Sequence, residues 1–210
     1  MLKANFITAQ EAAEKIQDGS TLCTIGMTLV SASESILKAI EKRFETVGHP
    51  ADITLVHSCG QSDRKDGIQH LAHEGLVKRI VGSHWGLQPR WMEMIANSQV
   101  EAYCLPQGQI AQLYRSMACG LPGKMSKVGL GTFIDPRVEG GKMNDRTKPL
   151  PDIVDILEYS GEEYMFYKEI PLDTVLIRGT VCDEMGNLTT TEEAMKLEVL
   201  PAVLAAKRYG

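Results

Sequence analysis

TLCTIGMTLVSASESILKAIEKRF, residues 21–44, reads as three pieces in a fixed order. Thr21 to Ile25 is a short run of apolar and β-branched residues, Gly26-Met27-Thr28 breaks it, and Ile36, Leu37, Ile40 and Phe44 then recur at helical spacing. Ser31, with Glu34 three residues on, predicts a capping box at the helix start. A strand that runs through a glycine turn into a helix is the building unit of a parallel sheet.

The unit recurs. ITLVH (53–57) runs into Ser58-Cys59-Gly60-Gln61, RIVGS (79–83) into His84-Trp85-Gly86, and VEAYCL (100–105) into Pro106-Gln107-Gly108 and a helical pattern. The expected fold is therefore α/β, a mostly parallel sheet with helices on both faces. Upstream, Thr8 and Glu11 form a second expected capping box, before a helix that stops at Asp18-Gly19. Downstream, periodicity is lost from about Gly120 to Pro151, a span too long for an ordinary connection, and IVDILEY, EYMFYKEI and DTVLIRGTV then read as strands. Thr190 with Glu193 predicts a last capping box, and Pro201 predicts a kink or two short helices, since the residue before proline disfavours helix. The ending Lys207-Arg208-Tyr209-Gly210 follows a helix where another strand is expected, so it reads as a cut.

Composition removes several classes of function. The 210 residues are 43% hydrophobic, enough for one sizeable core, and carry a net charge of −5 with Lys and Arg scattered. No basic patch marks a nucleic-acid partner, and no apolar run marks a membrane span or leader, so a cytoplasmic protein is expected. The five cysteines are widely spaced and odd in number, as suits a reducing compartment. His70 and His73 stand at i, i+3 without a cysteine or carboxylate pattern around them, which reads as an exposed helix face, and no metal site is expected.

In open parallel sheets ligands bind beyond the carboxyl ends of the strands, where the turns quoted above meet. Helix N-termini behind such turns offer unpaired N–H groups to a carboxylate, a thioester oxygen or a phosphate. Gly26, Met27, Gly60, Gln61, Gln107 and Gly108 are thus candidate substrate-binding residues, with Gln107 a side-chain donor. In the irregular span Gly129 and Gly131 are read as making room for a substrate, Thr132 as offering a hydroxyl, and Phe133 as turning into the core. The two tryptophans, Trp85 and Trp91, with Met27, Met92 and Met94, read as core or pocket lining.

The ordered set Pro106-Gln107-Gly108, Gly129-Leu130-Gly131-Thr132-Phe133, Gly140-Gly141-Lys142 and Asp183 to Asn187 resembles the family I coenzyme A transferases, in the half that corresponds to their α subunit. FIDPRVEGGKMN (133–144) looks most like the single-chain acetate or propionate branch. The resemblance implies exchange of CoA between short-chain carboxylic acids through an anhydride and a thioester on a glutamate, with CoA as substrate and no separate cofactor. It places that glutamate in a second, β-type domain beyond residues 1–210. The apolar Leu200, Val203 and Leu204 of the last helix need a partner or self-association for burial, so a homo-oligomer is expected. His57-Ser58-Cys59 stands where many α subunits carry Ser-Asn-Asn. No carboxylate here is expected to replace the nucleophile, Glu139 included. A sugar-phosphate isomerase of similar architecture and a ligand-sensing module without chemistry are the rival readings.

Overall fold

A computed structural model describes residues 3–209, so Gly210, the last residue of the expected cut, lies outside it. Four strands, β1 (Thr21–Thr24), β2 (Ile53–Val56), β3 (Val77–Gly82) and β4 (Glu101–Cys104), are joined by β8 (Thr174–Leu176). They form one sheet in the order β4-β3-β2-β1-β8, every pair parallel. Residue alternation decides which face each side chain covers. Leu22, Leu55, Ile80 and Ala102 enter the core under α1 (Ala9–Glu14), α2 (Glu34–Val47) and α3 (Pro89–Ala96). Cys23, Val56, Val81 and Tyr103 enter the core under α4 (Gln107–Ala118) and α5 (Val199–Tyr209). Helices cover both faces, as expected.

Several local expectations give way. Thr8 and Glu11 do form a reciprocal capping box. Ser31 does not: α2 begins two residues later, at N-cap Ser33, because Ser31 has φ of 59° and donates its hydroxyl to the Met195 carbonyl at 3.1 Å. Between β2 and β3 a 3-10 turn, Gly67–Leu71, replaces the helix. No helix starts at Thr190, whose segment runs irregularly to α5, and Pro201 sits in the first turn of α5, where its missing N–H costs no bond. The expected kink is therefore absent.

The glycine-rich span is ordered by two attachments. β5 (Gly123–Ser126) joins β6 (Val154–Tyr159) and β7 (Glu162–Lys168) in an antiparallel sheet of order β5-β7-β6. The span's far end then lies along β4, the edge of the main sheet: Cys104 N–H donates to Gly141 O at 2.8 Å and Met143 N–H to Ala102 O at 2.9 Å. An edge that would expose unpaired backbone groups is thereby closed. A short hairpin, β9 (Val181–Cys182) with β10 (Leu188–Thr189), precedes α5. Among the described residues no helix is long and apolar enough to cross a membrane.

Candidate functional site

The chain order β1, β2, β3, β4 runs outward on one side of β1, and β8 is added on the other. The strand order therefore reverses between β1 and β8, and a crevice at the carboxyl ends of those strands is the expected ligand position. A cleft of 360 Å³ opens there, between Ala32–Ile36 at the start of α2 and Ile177-Arg178-Gly179 after β8.

The polar accounting points to the same rim. Seven buried side-chain atoms have no hydrogen-bond partner among the described residues: Thr24 Oγ1, Ser33 Oγ, His57 Nε2, Gln61 Oε1, Trp85 Nε1, Gln88 Oε1 and Gln109 Oε1. Each belongs to the end of one of β1–β4 or to the turn or helix start that follows it. Buried polar atoms are almost always paired, so such a concentration needs an explanation.

The orientation of these groups is set by the backbone. Gln61 is fully buried and donates its amide to Thr24 O at 2.8 Å, which leaves Oε1 as a bare acceptor. Gln88 donates to His84 O at 3.2 Å, with the same result. His57 Nδ1 lies 2.7 Å from Cys59 O, so its proton sits there and Nε2 is a lone pair. Burial pushes His57 down to about 4, against the raising effect of that hydrogen bond and with His84 lowering it further. The ring is neutral at pH 7 and stacks edge-on against Trp85, 5.1 Å between centroids. Three buried acceptors without partners thus lie along the strand ends.

Two glycines make this packing possible. A Cβ on Gly60 would lie 2.7 Å from His84 Nδ1 and 3.0 Å from Gln88 Nε2, and one on Gly26 would lie 3.2 Å from Gln61 Oε1. The structure therefore brings Gly26, Gly60 and Gln61 together, joined also by Thr28 N–H to Gly60 O at 2.8 Å, with Met27 half-buried beside them. It sets Gln107 and Gly108 apart, exposed at the end of β4, three strands from β1. The irregular loop is held by its own bonds. Asp135, 1% exposed, accepts from Gly131 N–H at 2.9 Å and from Arg137 Nη2 at 2.8 Å, and the Arg137 guanidinium holds its carboxyl well below the usual carboxylate range. The Thr132 hydroxyl donates to Gly129 O at 2.8 Å, and Phe133 is 38% exposed, so it is not the core residue expected. Trp91 and Met94 are core, whereas Met92 is exposed.

Two further carboxylates reach the rim. Ser58 Oγ donates to Glu198 at 3.1 Å, and Glu193 lies 3.3 Å from Arg178 Nε and 3.4 Å from Ser31 Oγ. Sequence reading missed these three contacts, because separations of up to 162 residues carry no local signal. His70 is not on an exposed helix face: it is 12% exposed and wedged between Glu34 and Glu41. Glu34, Asp66 and His70 approach as a metal-ligand set would, but Lys38 lies 3.1 Å from both carboxylates.

A family model described as coenzyme A transferase matches residues 6–208. Caffeate CoA-transferase of Acetobacterium woodii is 42% identical over 208 residues, which are 99% of this chain and 39% of that protein. Acetate CoA-transferase YdiF of Escherichia coli K12 is 37% identical over 206 residues, 97% of this chain and 38% of that one. The crystal structure of YdiF from E. coli O157:H7, as a thioester complex with CoA, superposes with a TM-score of 0.94 at 35% identity, over 97% of this chain and 40% of that chain. The 210 residues span less than half the length of these relatives.

Proposed function

This chain belongs to the coenzyme A transferase family, and on that premise we propose that it is the α-type, acyl-binding half of an acyl-CoA:carboxylate CoA-transferase. Its substrates are CoA thioesters and short-chain acids such as acetate, propionate or 3-oxo acids. The observation that carries the reading is the row of seven unpaired buried polar atoms along the carboxyl ends of β1–β4. Fixed dipoles at such a rim bind and orient a ligand without reorganising when it reacts.

The chemistry needs a carboxylate nucleophile that takes the acyl group as an anhydride and then CoA as a thioester. The carboxylates nearest the rim are already engaged, Glu198 by Ser58 and Glu193 by Arg178. A glutamate from a second, β-type domain fills that role in this proposal. Coverage of 39% and 38% of the relatives, which leaves the larger part of each beyond the match, supports a second domain. A cleft of 440 Å³ on the outer face of α5, lined by Leu188, Leu197, Leu200 and Val203, is a place for it to dock, and Leu200 is 68% exposed.

The test is CoA exchange between acetyl-CoA and propionate, by the 210-residue chain alone and by the enzyme containing both halves. Transfer only in the two-half enzyme, with a covalent CoA adduct seen by mass spectrometry on a second-half glutamate, is the expected result. Transfer by the 210-residue chain alone would show that the nucleophile lies within it. No transfer by either overturns the reading.

A further inference from the structure

Between α2 and the turn at 67–71 lies a charged network that the acyl-binding rim does not itself contain. His70 is its centre. Nδ1 meets Glu41 Oε2, while Nε2 lies 2.8 Å from Glu34 Oε1 and 3.3 Å from Asp66 Oδ1. A neutral imidazole has one N–H and one lone pair, so one carboxylate would face a lone pair. Only the imidazolium satisfies both sides.

The network continues to the rim. The other oxygen of Glu34 accepts from Gly67 N–H at 2.9 Å, and Ile68 N–H donates to Gln61 O at 2.9 Å. Gln61 is thus held from behind by this turn and from the front by Thr24 O, with its free Oε1 against Gly26. We propose that His70 is a positioning residue, its imidazolium clamping α2 to the 67–71 turn and so fixing Gln61 at the crevice. The proposal rests on the reading above that Gln61 faces the substrate.

The groups around His70 are Glu34, Lys38 and Glu41 from α2, Asp66 and His73 beside it, and Arg90 from α3. Burial pulls the His70 pKa down, but its hydrogen bonds to Glu41 and Glu34 outweigh it and hold the pKa above its ordinary value. A group whose pKa is raised on folding contributes stability that is complete below the unfolded pKa, about 6.5, and is lost as pH rises through the folded value. The clamp therefore loosens on the alkaline side.

The experiment compares wild type, His70→Gln and Glu41→Gln in the two-half enzyme, reading Tm and the KM for propionate from pH 5.5 to 9. In wild type both should show an alkaline limb, Tm falling and KM rising. His70→Gln should raise KM about tenfold at pH 6 with kcat within about threefold, and lose both limbs. Glu41→Gln should move the limbs to lower pH, which decides the matter if His70→Gln fails to fold. Limbs that persist unchanged in either variant overturn the proposal. If wild type transfers no CoA at all, the functional reading fails, and the Tm limb with its loss in His70→Gln still tests the clamp.

Discussion

Gly131 offers the sharpest test of why the loop is rich in glycine. Its φ is +69°, and a Cβ built on it meets nothing within 4 Å. The cost of a side chain there is conformational: an L-residue in the left-handed region costs about 1–2 kcal/mol, less for Asn. Gly131→Ala should lower unfolding free energy by about 1–2 kcal/mol, a Tm loss of a few degrees, and Gly131→Asn by about half that. Gly131→Val should cost somewhat more than Ala through its β-branch, without a steric jump. The hydrogen bond from Gly131 N–H to Asp135 survives each change, since it uses only backbone. Denaturant unfolding gives the free energies, and kcat/KM for acetate, butyrate and hexanoate in the two-half enzyme gives the acyl preference. All three variants should lose stability and keep the wild-type preference. The reasoning is refuted if Gly131→Val discriminates against the longer acids while stability stays unchanged, because a ligand would then occupy the space the Cβ needs.

At the rim the balance is opposite. Gly60→Ala places a methyl 2.7 Å from His84 Nδ1 and 3.2 Å from His84 O, so residues 84–88 must shift. The expected cost is about 1–3 kcal/mol, with KM raised more than kcat is lowered in steady-state kinetics. Asp135→Asn keeps the shape but loses charge-assisted bonds to Arg137, worth about 1.5–3 kcal/mol before the half-exposed guanidinium regains water. Because the Asp135 pKa is depressed on folding, its contribution is present above about pH 3.9 and lost as pH falls through the folded value. A urea series from pH 2 to 7 should therefore show the wild-type and Asn curves converging in acid. Leu200→Glu should leave the stability of this half within about 0.5 kcal/mol and weaken its association with a separately expressed second half, measured by light scattering.

The strand, turn and helix units at 21–44, 53–61, 79–86 and 100–108 were legible because period-2 and period-3.6 patterns are local, and each follows from burial of one face. The motif order along the chain likewise revealed the family. The same local reasoning singled out Gly26, Gly60 and Gln61, which the fold brings together. It failed where a local signal had a tertiary competitor. Ser31 has the spacing of a cap, but its hydroxyl is taken by Met195 O, 164 residues away. Gly123–Ser126 has no strand pattern and becomes β5 through pairing with β7.

What the sequence by itself determined, then, is the architecture, since it depends on chain-local periodicity. Only the tertiary structure decided where the strand order reverses, which places β8 beside β1 and opens the crevice there. Only it showed that His57, Gln61 and Gln88 carry buried acceptors without partners and that His70 is wedged between carboxylates of α2. These facts depend on contacts between residues far apart in the chain, whose geometry is fixed by packing and leaves no trace in the spacing of residue types.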